Sequence, residues 1–410
     1  MTVFKRSRRR SGVALIMCIA VIAILTIMVT DMAYTSRVRQ VNAYHHRNRV
    51  QAYWLAKSGI NIFTIFIVLN NEATKQKNKQ NIPEEAQALG LGEDRDLWRI
   101  FNPFSSGFLR MMLSAGPTGD VDEEAVEEFK STGQVTEEVA EESIESSLFK
   151  DKNFLNFTGD FTVEVVDNES KIDITQFAKE TGNIQESITA QRLFGLMSGE
   201  EHDQWFSDRN IDRWELISNI RDWIDKNTER DYTGGYEDGL YDQFDPPYLS
   251  KNAPMDSFGE IHLIEGWEGE VFDKFGQYLT IWSNGKFNLN SVDDEMHKAI
   301  IRATAKTPTN DAALDFCMNK SDGMLGTVWD LARLNGQFRN STQYVKFVQT
   351  NCGIELNKSK LKNLTSTSKV FTLTSTGYAG YDEMLSQVTI TTVIDFSRKS
   401  TGKVRYWRID

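Results

Sequence analysis

Cysteine, histidine and proline are scarce in this chain of 410 residues, at three, five and seven copies. The histidines, His45, His46, His202, His262 and His297, are scattered. They form no H-E-x-x-H and no paired-ligand spacing, which argues against a catalytic zinc site. A G-x-S-x-G elbow and a P-loop are both missing. Carboxylates are plentiful, but no pair is marked out for acid–base work, so the expectation is a protein without catalytic residues. Basic patches interleaved with aromatics are absent as well. The 58 acidic and 46 basic residues give a formal net charge of −12, which turns the reading away from nucleic acid and toward hard cations such as calcium. Of the cysteines, Cys18 falls within an apolar run and reads as packing. Cys317 and Cys352 lie far beyond that run, where a disulfide between them is allowed but not required.

What is present is concentrated at the N-terminus. Lys5, Arg6, Arg8, Arg9 and Arg10 form a basic cluster that runs into Ser11-Gly12 and then into an apolar stretch from Val13 to Ala33. The stretch is about 20 residues, roughly 30 Å as a helix, which matches a hydrocarbon core. The basic flank orients it with the N-terminus cytoplasmic and the bulk of the chain outside. A secretory signal has a shorter apolar region closed by a small-residue cleavage site, and no such site follows here.

Proline is absent from Val13 to Pro83, and Gly59 is the single glycine between them. Apolar residues recur at three and four spacing beyond the membrane: Tyr34, Val38, Val41, Tyr44, Val50, Trp54, Leu55, Ile62, Phe63, Phe66 and Leu69. This pattern predicts one helix from Val13 to about Leu69, on the order of 85 Å long, half in lipid and half packed on a globular body.

The rest of the chain has room for two or three domains. Residues 71–160 read as a connecting region, with a solvated acidic run over 120–148 and a stretch, Asp96–Leu113, with enough aromatic and aliphatic residues to dock on the body. Phe161–Val166, Asp167–Ser170 and Lys171–Ile174 read as a β-hairpin. Three alternating runs near the C-terminus predict strands, with turns at Gly377–Gly380 and Ser400–Gly402. Between these flanks, 176–365 is mostly helical in pattern. The fold class expected is therefore α+β, a sheet whose strands are split by a helical insertion.

The most chemically loaded segment is 221–248. Asp222 and Asp225 share a face if the helix there continues; Asn227, Glu229 and Asp231 then alternate along a loop, ahead of Gly234-Gly235 and Glu237-Asp238. Hard oxygens in a glycine-containing loop suit calcium, although the spacing is not that of an EF-hand. A polar surface loop whose acids cap backbone groups accounts for the same residues.

The basic leader ending in Gly12, the immediate apolar segment and the long amphipathic helix together resemble the type IV pilin and type II secretion pseudopilin class. That resemblance implies cleavage after Gly12 by a prepilin peptidase and methylation of the new N-terminus at Val13. Most members carry Glu as the fifth mature residue; Met17 stands there instead, as in the large minor pseudopilins of the K class. Asp222-Trp-Ile-Asp225 followed by Gly234–Tyr241 and Asp245-Pro-Pro-Tyr248 resembles the calcium loop of that class. The match nominates Asp225, Asn227, Glu237 and Asp238 first, with Asp222, Glu229 and Asp231 behind. Met255–Trp267 and Phe287–Asp293 resemble the segments that follow, although Asn288, Asn290 and Ser291 also read simply as turn and capping residues.

The architecture so implied is a leader (1–12), a long transmembrane and amphipathic helix (13–70), the connecting region (71–160), first strands of a pilin-like α/β domain (161–175), a helical insertion (176–365) with a calcium loop at 222–245, and C-terminal strands (366–410). The role implied is a non-enzymatic minor pseudopilin in the inner membrane, with its body in the periplasm at the pseudopilus tip. Expected partners are other minor pseudopilins, the prepilin peptidase, the inner-membrane platform, and secreted cargo or the outer-membrane channel. Two alternatives fit the same leader: a minor pilin of a type IV pilus or competence filament, and a membrane-anchored periplasmic domain that does not polymerise.

Overall fold

The computed structural model describes residues 11–77, 102–107, 109, 158–320, 327–334, 338–380, 385–398 and 401–410. The acidic run over 120–148 lies outside them. The first element, α1 (Ser11–Lys77), is a single helix of 67 residues and runs two turns past the predicted end. From Val13 to Met32 its large apolar side chains are each more than half exposed, so no described residue covers them. The hydroxyls of Thr26 and Thr30 donate to the Ile22 and Thr26 carbonyls, at 2.8 and 2.9 Å. In an apolar helix this keeps both hydroxyls satisfied without water.

After α1 come β1 (Phe104–Ser105), β2 (Asp160–Asp167) and the short β3 (Ile172–Asp173). Helices α2 (Ile188–Leu196), α3 (Glu200–Arg209), α4 (Arg213–Ile224) and α5 (Glu270–Phe275) follow, then β4 (Leu279–Thr280) and β5 (Phe287–Asn288). Next are α6 (Asp294–Thr304), α7 (Asp311–Met318), α8 (Val328–Leu334) and α9 (Ser341–Cys352). The chain closes with β6 (Leu364–Thr365), β7 (Val370–Ala379), β8 (Ser386–Asp395) and β9 (Lys403–Ile409). Strands β1-β2-β7-β8-β9 form one antiparallel sheet in that order. The fold is α+β: a long helix laid on an antiparallel sheet, with a helical body inserted between two adjacent strands, β2 and β7.

Two predicted turns are corrected. Phe161–Ile174 is not a hairpin. The Asp167 carboxylate accepts from the Glu169 amide at 2.8 Å and turns the chain away, and β3 pairs in parallel with β4. All of β2 from Asp160 to Asp167 is taken instead by β7. Nor does a turn begin at Gly377, which lies inside β7; the strand runs to Ala379, and Gly380 has the positive φ.

Gly377 is in the strand because α1 crosses there. A Cβ on Gly377 would stand 2.0 Å from the Ala52 carbonyl oxygen, and one on Gly59 would stand 2.8 Å from Phe161, Val163 and Ser375. Helix and sheet therefore meet at backbone distance. The buried stripe of α1 is Ala52, Leu55, Ala56, Ile60, Phe63 and Ile67, while Val50 and Trp54, predicted to face the body, are 45 % and 56 % exposed. Phe104 on β1 completes this core against Phe63 and Phe161.

The insertion has its own core, built around Trp267, Trp329, Tyr344 and Phe275. His297 is buried there, with Nδ1 3.1 Å from the Tyr344 hydroxyl. A disulfide between Cys317 and Cys352 joins α7 to α9. A buried polar clasp ties the insertion to the sheet. The Asp167 carboxylate accepts from the hydroxyls of Ser291 and Ser368, Glu169 accepts from the Lys369 amide at 2.6 Å, and Asn168 bridges Thr372 and Thr280. Glu169 is fully buried, and burial together with the nearby Asp167 charge pushes its carboxyl up to about 7.

Candidate metal centre

The last turn of α4 builds the site. Leu216, Ile217, Ile220, Trp223 and Ile224 anchor the helix in the insertion core, and this carries Arg221 and Asp222 inside with them. The helix ends at Asp225, whose backbone is extended. The following loop folds back, so that the Asp231 amide donates to the Asp222 carboxylate at 3.1 Å. Asp222 also accepts from Ser218, one turn earlier, at 3.1 Å.

This fold-back gathers Asp222, Asp225 and Asp231 so that one carboxylate oxygen from each lies within 4.8 Å of the others. Glu237 is buried beside them. Burial pushes Asp222 up to about 7 and Asp225 up to about 6; it also pushes Glu237 up to about 8, helped by the charges of Asp222 and Asp225. Asp231 is raised for the same reason, against the pull of Arg221. Arg221 is the one cation facing the group among the described residues, with Nε 2.7 Å from Asp231 and 3.9 Å from Asp225. Were all four carboxyls ionised, the one guanidinium would leave an excess of negative charge there, and the raised values keep protons on the group instead.

A second set of oxygens adjoins the first. The Asn252 side-chain amide lies 3.2 Å from the carbonyl oxygens of Asp222 and Asn227 and 2.6 Å from Glu237 Oε2, and with its nitrogen inward it donates to all three. Glu237 Oε1 is buried without a hydrogen-bond partner. An unpartnered buried carboxylate oxygen beside Asp222 and Asp225, which themselves group with Asp231, fits a hard divalent cation, which takes six to eight oxygens in flexible geometry. Asp222, Asp225, Asp231 and Glu237 would hold it. A Ca²⁺ bound there would supply the charge that lets all four ionise together.

Several nominated residues do something else. Asp238 is not in the group; its carboxylate accepts from the Ser250 amide at 3.0 Å and pins the returning chain. Asn227 spends its side chain within the loop, donating to Asp225 at 2.7 Å and accepting from the Glu229 amide at 2.8 Å, so it presents its main-chain carbonyl to Asn252. Glu229 is exposed and is held by its backbone, opposite Tyr236. Of the nominated residues, Asp222, Asp225 and Asp231 thus come together with Glu237 beside them, while Asn227, Glu229 and Asp238 make the other contacts just described. Asn252 and Arg221 are functional neighbours that the pattern did not single out. Asn252 lies beyond Pro246-Pro247, and only the fold returns it to the loop. Gly12 and Val13 lie in the first turn of α1.

Residues 172–284, which contain this site, match a family model described as type II secretion system (T2SS), protein K. Over 89 residues the chain is 29 % identical to the type II secretion system protein K of Aeromonas hydrophila, a match covering 21 % of this chain and 27 % of that protein. The chain therefore spans about a quarter of the length of the curated relative it matches. A chain of the crystal structure of the GspK-GspI-GspJ complex from the enterotoxigenic Escherichia coli type 2 secretion system is similar at 15 % identity and a TM-score of 0.44, over 62 % of this chain and 80 % of that one.

Proposed function

We propose, for a chain whose residues 172–284 match the family model of type II secretion system protein K, that it is a minor pseudopilin at the tip of the pseudopilus. The observation that carries the reading is the division of α1. Its first half is an exposed apolar rod long enough to cross a bilayer, and its second half is covered along one stripe by the sheet. A subunit of this shape hangs in the inner membrane as a single-pass anchor and joins a filament by laying the bare half against the helices of other subunits. Prepilin peptidase would cut after Gly12 and leave Val13 as the methylated N-terminus.

The place at the tip follows from bulk and charge. The insertion is built out between β2 and β7, so a subunit stacked above would meet it. Met17, where most pseudopilins have Glu, offers no carboxylate to the terminal amine of a neighbour. Such a subunit starts an array better than it continues one. Other minor pseudopilins are the partners along α1, the inner-membrane platform is the partner below, and the insertion faces cargo or the outer-membrane channel. The role is mechanical and not catalytic. Calcium bound at Asp222, Asp225, Asp231 and Glu237 would act as a fold staple, since an ion that binds only the folded loop stabilises it by mass action.

Copurification tests this reading. The full chain extracted from membranes should bring down other minor pseudopilins, and a chain with charged residues introduced at Ile19 and Ile22 should not. Recovery of the unaltered chain alone, with no pseudopilin partner, would favour an anchor that never polymerises.

A further inference from the structure

We propose that Arg37 and Arg39 bind the phosphate headgroups of anionic phospholipids in the leaflet where α1 leaves the membrane. The inference rests on the reading that the apolar half of α1 spans the bilayer. No Asp or Glu occurs between Met32 and Asn71, whereas Arg37, Arg39, Arg47, Arg49 and Lys57 do, in a chain of net charge −12. Arg37, Arg39, Arg47 and Arg49 are exposed and none has a carboxylate partner among the described residues. The helix is unbroken here, so height above the apolar run follows from a rise of ~1.5 Å per residue.

Counted from Ala33, Arg37 stands roughly 6 Å and Arg39 roughly 9 Å above the hydrocarbon edge. The polar layer on each side of the core is about 5–8 Å deep, and an arginine stem can reach back into it. Tyr34, 71 % exposed one turn below Arg37, is an aromatic of the kind that settles at that interface. Arg47 and Arg49 stand roughly 21 and 24 Å up, more than a Debye length of about 8 Å beyond the headgroups. There Arg49 lines a cleft of about 400 Å³ with His45, His46, Ser386 and Gln387. Height therefore divides one basic segment into a lipid tier and a protein tier.

Topology sharpens the point. Basic residues close to the translocated end of a span oppose the orientation that the leader favours. Four arginines lie there against the five basic residues of the leader. The lower pair carries that cost and has no carboxylate partner among the described residues, whereas a negatively charged lipid surface supplies one.

The test uses the full chain in vesicles of phosphatidylglycerol and phosphatidylethanolamine, with spin-labelled phosphatidylglycerol or phosphatidylcholine as the probe of lipid at the protein boundary. The unaltered chain should enrich phosphatidylglycerol. The Arg37→Gln/Arg39→Gln chain should lose up to about twenty-five-fold in that preference, at about five-fold for each arginine near an anionic surface. The Arg47→Gln/Arg49→Gln chain should keep it. The N-terminal flank is the same in all three chains, so their differences report the outer flank alone. Equal enrichment in the unaltered and Arg37→Gln/Arg39→Gln chains overturns the proposal. Loss confined to the Arg47→Gln/Arg49→Gln chain overturns it too, and assigns the charge to a protein partner above the membrane. A missing membrane span would look different, since no motionally restricted lipid of either kind would then be seen.

Discussion

The carboxyls that carry raised pKa values make opposite demands on the fold with and without a cation. Asp222, Asp225 and Glu237 in the loop and Glu169 in the clasp all hold protons in the folded chain at a pH where the unfolded chain has released them. Folded states of this kind lose stability as pH rises, because the unfolded state ionises first. Without calcium, the stability these groups contribute should be full below about pH 4 and fall steadily toward pH 8. Calcium binds the ionised carboxylates, so its stabilising effect should grow over the same interval. Thermal unfolding of the full chain at pH 5 and pH 8, with calcium or chelator, checks both signs. Asp222→Asn should abolish most of the calcium-dependent rise in Tm at pH 8, whereas Asp238→Asn, outside the oxygen cluster, should leave it largely in place. For the clasp, Glu169→Gln keeps the acceptor that meets the Lys369 amide and removes the titration. It should flatten the decline between about pH 4.5 and pH 7 by at most about 3 kcal/mol, for a carboxyl raised from 4.5 to about 7.

Elements are fixed by how closely they approach and by what staples them. The crossing of α1 over β7 leaves no room at Gly377, where a Cβ would sit 2.0 Å from the Ala52 carbonyl oxygen. Gly377→Ala should cost about 2–4 kcal/mol, as overpacking against backbone cannot be relieved by a rotamer change. Chemical denaturation of the purified chain measures it. In the insertion, the disulfide closes a loop of 35 residues between α7 and α9. Replacing both Cys317 and Cys352 by Ser should lower stability by about 3–4 kcal/mol in the chain-entropy account. The strands from Val370 onward were legible because each alternates and pairs with its neighbour in sequence. The partner of Phe161–Val166 was not, because it lies on the far side of the insertion, and a local turn at Asp167–Ser170 looks the same whether the chain returns or departs. Small residues at Ala52, Ala56 and Gly59 likewise carry no hydrophobic signal. Large ones such as Trp54 drew the predicted face, although the close approach required the small ones. In the metal loop, the oxygen-rich composition was readable. Which oxygens converge was not, since that depends on the return of Asp231 and Asn252 to the end of α4.

At the scale of the whole molecule, the described residues form an apolar rod long enough to cross a membrane, a helix-on-sheet body and a helical insertion held by the clasp at Asp167–Glu169. Each part has its own core or none: the upper half of α1 shares one with the sheet, the insertion has another, and the lower half of α1 is bare. An apolar rod that no described residue covers suits lipid and other rods, which is why the proposed assembly in the membrane is central to the account. The most direct measurement is the intact mass and N-terminal sequence of the chain purified from membranes. The account predicts a chain that begins at N-methylated Val13, with the basic leader through Gly12 removed. A chain that retains Lys5 to Gly12 would contradict it and leave an unprocessed membrane anchor.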